Sequence, residues 1–186
     1  MEKSHRKVRM LTEGAVCIAL AEILSFLPLY KMPWGGSVDL AMLPIILYCV
    51  RWGFGPGMVA SFAHAVLQML FEGGIAIGWQ SIIGDFIVAY TVLGLAGLFK
   101  GKSWGIFPGT AIGCICRFIV HFISGVTIYR IYEPTEIPGI GVFDDAVLYS
   151  LVYNGVYMLP CMLLALAVAG VLFVPMKKYF AGQDIR

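Results

Sequence analysis

Residues 146–174 read AVLYSLVYNGVYMLPCMLLALAVAGVLFV and contain no charged side chain. A helix needs about 20 consecutive apolar residues to cross the hydrocarbon layer of a membrane. Hydrophobic residues make up 60% of the whole chain and charged residues 13%, against roughly 45–50% and about 25% in soluble domains. The sequence therefore predicts an all-α integral membrane protein, a six-transmembrane-helix bundle with helices at about 8–29, 38–52, 58–72, 79–99, 104–128 and 144–174.

The length and composition exclude several classes of function. A chain of 186 residues leaves room for a single membrane domain, 1–186, and for no separate soluble domain that hydrolyses ATP or binds nucleic acid. The glycine-rich turn at 53–57 has no Lys-Ser or Lys-Thr after it, so it is not a phosphate-binding loop. The five cysteines all fall inside apolar segments, and we interpret them as packing residues rather than metal ligands or disulfide partners. We expect no cofactor.

The first apolar segment follows a basic stretch and has features of a cleaved leader. Its apolar run continues past Ala19-Leu-Ala21, which mimics a cleavage site, and Glu13 would lie inside the leader. We therefore expect this segment to remain as the first helix. Ala15 and Ala19 are four residues apart on it, and small residues at this spacing let another helix approach closely. They predict either ordinary packing inside the bundle or a docking face for a second membrane protein.

The positive charges favour one orientation, because Lys and Arg accumulate on cytoplasmic loops. If the chain crosses six times, most of the Lys and Arg residues outside the helices lie on the same side as the N terminus. The opposite side holds only Lys31 and Arg130. We therefore expect a multi-pass protein of a bacterial plasma membrane with both termini in the cytoplasm. The opposite side is rich in Asp and Glu, which would concentrate cationic solutes. Acidic residues also collect there simply by avoiding the positive side.

Polar side chains fall within the predicted helices, where such groups are costly and usually functional. The candidates are Glu22, His64, Asp85, Arg117, His121 and Asn154. Counted at about 1.5 Å per residue from the outer ends of their helices, Asp85, His121 and Asn154 lie at similar depths of roughly 9–15 Å. The sequence therefore predicts a pocket in the outer half of the bundle that opens to the outside.

The fifth predicted helix carries the clearest pattern. Arg117, His121, Gly125 and Tyr129 recur every four residues and so line one stripe of the helix. A cation, an imidazole and an aromatic ring on one stripe make a poor lipid-facing surface. They predict either a pocket wall or a buried structural network, for example one in which Arg117 pairs with Asp85.

Two further features stay open between structural and binding roles. Trp34 lies in an external loop between turn residues, where it either anchors the loop at the membrane interface or covers a ligand. On the sixth helix, Tyr149 and Asn154 are about 140° apart. Spacing alone therefore leaves Tyr153 and Tyr157 equally plausible as wall residues.

Several stretches together resemble a known family. They are the run at 8–15 continuing into Ala19, the Trp34 loop, Leu93-Gly-Leu-Ala-Gly-Leu-Phe99, His121-Phe-Ile-Ser-Gly125 and Tyr149-Ser-Leu-Val-Tyr-Asn-Gly155. Over almost its full length the chain resembles the ThiT family, the thiamine-specific substrate-binding (S) components of energy-coupling factor (ECF) transporters. The resemblance implies a six-helix bundle that binds thiamine from outside. It also implies docking through Ala15 and Ala19 onto a transmembrane coupling protein, with two cytoplasmic ATPases that drive uptake.

Carried over position by position, the family's pocket falls on Trp34, Asp39, Asp85, Phe86, Arg117, His121, Tyr129, Tyr149 and Asn154. The residues at 34, 121, 149 and 154 match the family. At the other positions the family more often has Glu (39 and 85), Tyr (86), Lys (117) and Trp (129). Most of these exchanges keep the charge or the aromatic ring, but Phe86 loses a hydroxyl and Asp85 is shorter than Glu.

The residue types suit thiamine, which has a permanently cationic thiazolium ring and a planar aminopyrimidine. Aromatic faces attract a fixed cation by about 0.5–2 kcal/mol each. The resemblance accordingly gives Trp34, His121 and Tyr129 to ring stacking, and Asp85 to the aminopyrimidine or the positive charge. The other matched polar side chains, on the sixth helix, would hydrogen-bond the ring nitrogens or the amino group.

Two alternatives remain. The departures at 39, 85, 86 and 129 are compatible with a different cargo, either a pyrimidine precursor or another cationic vitamin. Ser124 and His121 are three residues apart on one helix, so an intramembrane enzyme with a serine nucleophile and a histidine base is geometrically possible. No recognised hydrolase motif surrounds these two residues, and we expect a transporter subunit rather than an enzyme.

Overall fold

The computed structural model describes residues 2–33, 35–73, 76, 78–128, 136–137 and 139–185. Most of this part of the chain lies in the helices α1 (Glu2–Ser25), α2 (Met42–Trp52), α3 (Phe54–Glu72), α4 (Gly78–Phe99), α5 (Ile106–Ile128) and α6 (Ala146–Phe180). Two short antiparallel hairpins pair β1 (Tyr30–Lys31) with β2 (Ser37–Val38) and β3 (Glu136–Ile137) with β4 (Gly141–Val142). The 3-10 turns Ser103–Gly105 and Gln183–Ile185 precede α5 and follow α6.

Four of these helices, α3 to α6, are long and apolar enough to cross a membrane. Helix α2 is apolar but has only 11 residues. Large apolar side chains are exposed on the helix surfaces, among them Leu70, Trp79 and Val174, as expected of surfaces that face lipid rather than water. The described residues therefore form a helical membrane protein with four candidate spans, and crossings by α1 and α2 stay a prediction.

The helices near the first hairpin end at other residues than predicted, for local reasons. Helix α1 ends at Ser25 and not at 29, because Pro28 disfavours a helical conformation of the residue before it. Residue 38 belongs to β2, and α2 begins only at Met42. Between them, the side chain of Asp39 accepts a hydrogen bond from the Ala41 amide over 2.8 Å, a local turn that replaces helix.

Helices α2 and α3 are joined by a single residue, Gly53, whose φ of 95° is open mainly to glycine. The prediction made 53–57 a turn, but α3 already begins at Phe54. Pro56 fits there because the first turn of a helix does not use its backbone N–H groups. A Cβ on Gly97 of α4 would lie 2.5 Å from the backbone of Gly53 and Phe54. Only glycine at 97 lets α4 pack this closely.

Helix α6 begins at Ala146, two residues after the predicted start, and continues to Phe180. Asp145 forms the N-cap, since its carboxylate accepts hydrogen bonds from the amides of Val147 (3.2 Å) and Leu148 (3.3 Å).

Helix α2 forms the centre of the fold. All of its residues except Leu47 are buried, and it contacts α1, α3, α4, α5 and α6. A helix that is apolar all round suits such an enclosed position. The short second segment of the sequence is therefore a core helix surrounded by the longer ones.

One end of the bundle is held by a buried arginine. The guanidinium of Arg51 contacts Glu13 Oε2 (2.6 Å), Asp184 Oδ1 (2.7 Å) and the Tyr179 carbonyl (2.8 Å), and Trp52 Nε1 donates to Glu13 over 2.8 Å. The Arg51 guanidinium carbon also lies 3.7 Å from the centroid of the Tyr179 ring. These five residues, called the Arg51 cluster below, tie α1 and α2 to the end of α6 and the turn after it.

Candidate functional site

A cleft lies between α4, α5, α6 and the β1–β2 hairpin. The enclosed volume of this cleft is about 90 Å³, smaller than the roughly 300–1,000 Å³ typical of small-molecule sites. The predicted site residues that line it are Asp85, Phe86, Arg117, His121, Tyr149 and Asn154. Further lining residues used below are Glu72, Ser81, Tyr90, Tyr153 and Tyr157.

The other three predicted site residues have different positions. Trp34 and Tyr129 lie outside the described residues. Asp39 is buried, and its carboxylate accepts hydrogen bonds from the Ser37 hydroxyl and from the Ala41 amide. Because Ser37 lines the cleft, Asp39 holds the end of the hairpin and the start of α2 against the edge of the site.

Asp85 and Phe86 project from an irregular part of α4. Residues Ile82–Val88 form a π-helix between the α-helical turns Gly78–Ser81 and Ala89–Thr91. Such turns are rare and frequently occur at functional sites, because the wider turn changes the direction of the side chains. Gly84 lies in this π-helical segment and packs against α5, since an added Cβ there would lie 3.4 Å from the Ser124 hydroxyl.

Asp85 and Arg117 are both hydrogen-bonded to His121, which stands between them. Arg117 Nε donates to His121 Nε2 over 3.3 Å, and His121 Nδ1 lies 3.1 Å from Asp85 Oδ1. An Nε2 that accepts places the proton of a neutral ring on Nδ1, so His121 donates to the carboxylate. Ser81 Oγ donates to the other oxygen of Asp85 over 2.7 Å. The sequence left open a direct pair between Arg117 and Asp85. In the structure the two side chains are connected through His121 instead.

The same bonds bear on the enzyme alternative. A histidine base needs a free ring nitrogen that accepts a proton from the serine. His121 already accepts from Arg117 at Nε2 and donates to Asp85 at Nδ1. The arrangement orients an imidazole in the cleft wall and does not activate Ser124.

The α6 side of the cleft is a wall of three tyrosines in ring contact, Tyr149, Tyr153 and Tyr157. Tyr149 and Tyr153 stack with centroids 5.6 Å apart and an interplanar angle of 20°, and Tyr157 meets Tyr153 edge-on at 6.1 Å. The Tyr157 hydroxyl donates to Asn154 Oδ1 over 2.9 Å. The sequence left Tyr153 and Tyr157 as open candidates for the wall, and the recurrence of tyrosine every four residues at 149, 153 and 157 is the signal that groups them.

The β1–β2 hairpin covers one side of this tyrosine wall. The Tyr153 hydroxyl donates to the Gly35 carbonyl over 2.7 Å. Gly36 has a φ of 84°, and a Cβ there would lie 2.8 Å from the Tyr157 ring, so the hairpin backbone packs directly on the aromatic wall. Lys31 Nζ lies 3.5 Å from Glu72 Oε1 and joins the hairpin to the end of α3. Glu72 thus lines the cleft and pairs with the hairpin.

The predicted docking residues lie on α1, away from the cleft. Ala15 and Ala19 are exposed, as are Val16 and Leu20 beside them, whereas Ala21 on the opposite face is buried in the core. Helix α1 thus has a free face of small and apolar side chains.

These features define a multi-pass helical membrane protein with a cleft that contains a carboxylate–imidazole pair and an aromatic wall. The family described as thiamine transporter protein matches residues 11–181, and the chain belongs to this family. The resemblance drawn from the sequence motifs is thereby confirmed. The protein is a member of a transporter family and not an enzyme.

Individual relatives agree over nearly the whole chain. The chain is 30% identical to the thiamine transporter ThiT of Bacillus subtilis (strain 168), with 94% of each chain covered. It is 27% identical to the thiamine transporter ThiT of Lacticaseibacillus paracasei, with 98% of this chain and 95% of that one covered. A solved structure of ThiT from Listeria monocytogenes superposes with a TM-score of 0.78 at 24% identity, covering 94% of this chain and 98% of that one. At this identity the structure supports the fold alone.

Proposed function

We propose that this protein is the S component of an ECF-type vitamin transporter and that its cleft captures thiamine from outside the cell. The observation that carries the proposal is the Asp85–His121 pair, which lines a cleft together with the tyrosine wall in a chain of the thiamine transporter family. Relatives that carry the name thiamine transporter match over more than nine-tenths of the chain.

The placement of charge in the cleft supports a cationic ligand. Among the described lining residues, Asp85 and Glu72 are carboxylates, Arg117 is a cation and His121 is neutral with its proton on Nδ1. Glu72 is paired with Lys31, and the Arg117 guanidinium carbon lies 4.1 Å from the centroid of the Tyr90 ring in a cation–π contact. Asp85, beside a neutral imidazole, is therefore the carboxylate that the cleft offers to the thiazolium cation.

The aromatic wall supports a flat ligand. Tyr149, Tyr153 and Tyr157 offer ring faces and edges along one side of the cleft, and each aromatic face contributes about 0.5–2 kcal/mol toward a desolvated cation. The resemblance assigns further stacking roles to Trp34 and Tyr129, which lie outside the described residues. Thiamine presents two planar rings, so a stacked surface matches its shape as well as its charge.

The polar groups of the cleft can still bond a ligand. A carboxylate has about four acceptor positions, and the hydrogen bonds from His121 and Ser81 occupy two of them on Asp85. The remaining two face the exocyclic amino group of the aminopyrimidine in our assignment. Tyr149 would bond a ring nitrogen. Asn154, whose Nδ2 already donates to the Ser150 carbonyl over 2.9 Å, would accept from the amino group through Oδ1, with Phe86 as an apolar neighbour and Asp39 as an indirect support at the hairpin.

The transport step belongs to partner subunits. We propose six crossings, α1 and α2 included, in a bacterial plasma membrane with both termini in the cytoplasm, and lipid around the bundle. The exposed Ala15 and Ala19 of α1 would dock onto a transmembrane coupling protein, and two cytoplasmic ATPases would supply the energy. In this orientation the Arg51 cluster lies at the cytoplasmic end and the cleft opens outside.

A second cargo is favoured by one specific observation. Phe86 lines the cleft and offers no hydroxyl where relatives more often have tyrosine, so one polar contact of thiamine is missing. A smaller pyrimidine precursor would need fewer such contacts. This alternative shares the site and the transport role and differs only in the ligand.

The test is isothermal titration of the purified full-length protein with thiamine and, in competition, with hydroxymethylpyrimidine. We expect thiamine to bind with a dissociation constant far below the millimolar range and to displace the precursor. Tighter binding of the precursor would establish the second cargo instead. Binding of neither compound below millimolar concentration would overturn the proposed function.

A further inference from the structure

A second polar cluster lies outside the cleft, between α1 and α3. Glu22 Oε1 is 2.6 Å from His64 Nδ1, and Gln68 Nε2 donates to Glu22 Oε2 over 2.8 Å. Glu22 is 8% exposed, His64 0% and Gln68 1%. Polar groups inside a membrane protein are expensive and default to functional roles. Glu22 and His64 are two of the polar residues that the sequence places within predicted membrane helices, and the proposed function assigns a role to neither.

The orientation of the His64 ring depends on Glu22. His64 Nε2 is buried and has no hydrogen-bond partner among the described residues. A proton on Nε2 would be an unpaired buried donor, so the neutral ring with its proton on Nδ1 fits its surroundings. Glu22 is then the one hydrogen-bond anchor of this ring in the described part of the chain. Without that anchor, packing alone would set the angle of the imidazole.

The His64 ring in turn supports a residue of the cleft. It meets the Tyr90 ring edge-on, with centroids 5.1 Å apart and an interplanar angle of 87°. Tyr90 lines the cleft, and the Arg117 guanidinium lies over its ring. Arg117 then bonds His121, whose other nitrogen bonds Asp85. A continuous series of contacts therefore leads from α1 to the polar pair of the cleft.

We propose that Glu22 and His64 are positioning residues of the cleft, which act through Tyr90 on the Arg117–His121–Asp85 arrangement. The inference rests on the proposed function because the ligand in its binding test is thiamine. The contacts that it invokes, from Glu22 to Asp85, lie within this chain and are present without a ligand. The alternative is that the contacts among Glu22, His64 and Gln68 only hold α1 against α3. Substitutions would then lower the stability of the fold and leave the geometry of the cleft unchanged.

The test uses two substitutions that divide the His64 contacts between them. His64→Phe keeps a ring against Tyr90 and loses the bond to Glu22, whereas His64→Asn keeps a donor near the Nδ1 position and loses the ring edge. Glu22→Gln replaces the carboxyl group by an amide at nearly constant volume. Thr110→Val is the matched control, because Thr110 is equally buried and its hydroxyl bonds only the Ile106 carbonyl of its own helix.

We expect Glu22→Gln and both His64 variants to weaken thiamine binding by about 2- to 30-fold, the range of energetic coupling through packed side chains. Thr110→Val should bind as the unsubstituted protein does. In a Tyr90→Leu background, which breaks the series of contacts, Glu22→Gln should cause no further loss, because residues that act in series are not additive. Full additivity of the two losses would overturn the inference.

A ligand-free measurement separates this inference from the proposed function. The chain has three histidines, so His64→Phe leaves only His5 and His121 in a ¹⁵N spectrum of the imidazoles. We expect the Nδ1 signal of His121 to shift in this variant and to stay fixed in Thr110→Val. If His64→Phe does not fold, the shift is sought in Glu22→Gln. An unchanged His121 signal in folded variants with unchanged affinity would overturn the positioning role, whatever ligand the cleft binds.

Discussion

His121 Nδ1 and Asp85 Oδ1 lie 3.1 Å apart, and the bond between them joins α5 to the π-helical part of α4. Arg117 occupies the other nitrogen of the ring, so the imidazole proton points at the carboxylate. This hydrogen bond fixes the position of the Asp85 carboxylate in the cleft. In the proposed function the same pair that joins the two helices also presents the carboxylate to the ligand.

Replacing Asp85 by Asn should weaken thiamine binding by about 10- to 100-fold. Hydrogen bonds to a charged group contribute about 1.5–3 kcal/mol, and the amide removes the charge while keeping the size. Isothermal titration measures the change, with Thr110→Val as the control for purification and folding. An Asp85→Asn protein that binds like the unsubstituted one would remove the carboxylate from the site.

Replacing Tyr153 by Phe should release thiamine faster, by roughly 2- to 10-fold, the range of one net hydrogen bond. The hydroxyl that donates to the Gly35 carbonyl fastens the hairpin over the tyrosine wall, and a looser hairpin exposes the ligand. Stopped-flow displacement gives the rate. Tyr48→Phe is the matched control, because its hydroxyl also donates to a backbone carbonyl, that of Met10, away from the cleft. Equal release rates for the two variants would contradict the role of the hairpin.

Replacing Arg51 by Gln should lower the free energy of unfolding by about 3 kcal/mol, because it leaves carboxylates without their buried partner. Asp184→Asn should cost less than about 1 kcal/mol, since the Asp184 side chain is 40% exposed. Thermal unfolding in detergent ranks the two variants. Thiamine affinity should stay the same in both. Equal stability of Arg51→Gln and the unsubstituted protein would show that the Arg51 cluster does not hold the bundle end together.

Replacing Gly97 by Ala should destabilise the fold by about 1–3 kcal/mol or prevent folding, as overpacking does. The new Cβ would meet the backbone where α3 begins, and backbone cannot move aside as a side chain does. Gly170→Ala is the control on α6, where nothing lies within 4 Å, and alanine there should favour the helix. The expression yields and thermal unfolding temperatures of Gly97→Ala and Gly170→Ala are compared. Similar behaviour of both variants would contradict the close packing.

Replacing Ala15 by Trp should abolish uptake and leave thiamine binding unchanged. Ala15 is exposed on α1 and far from the lining of the cleft, so a bulky ring there blocks a partner helix rather than the ligand. Uptake in liposomes that contain the partner subunits is compared with binding to the isolated protein. Leu20→Trp, on an adjoining part of the same exposed surface, tests how narrow the docking face is. Normal uptake by the Ala15→Trp protein would show that the coupling protein does not dock at this face of α1.

Much of this arrangement was accessible from the sequence because a membrane makes polar residues conspicuous. Asp85, His121 and Asn154 stand out in apolar runs, and helix geometry alone predicted similar depths for them. The cleft indeed contains all three. Helix ends were harder, since Pro28 and the Asp145 cap act over one or two residues, a shorter range than the apolar pattern.

Other features had no sequence signal of comparable strength. The π-helix that carries Asp85 depends on how α4 packs, and no residue spacing encodes it. Asp39 could be read as a ligand-binding acid from its family position, but its described bonds are to Ser37 and Ala41. The contact between His64 and Tyr90 joins two helices, α3 and α4, and pairing between helices is not visible in a single sequence.

The most direct measurement is a structure determined with thiamine bound. The account predicts the aminopyrimidine amino group within hydrogen-bond distance of the Asp85 carboxylate and the rings against the tyrosine wall of α6. Ligand density elsewhere in the molecule, or a cleft that stays empty at saturating thiamine, would contradict it.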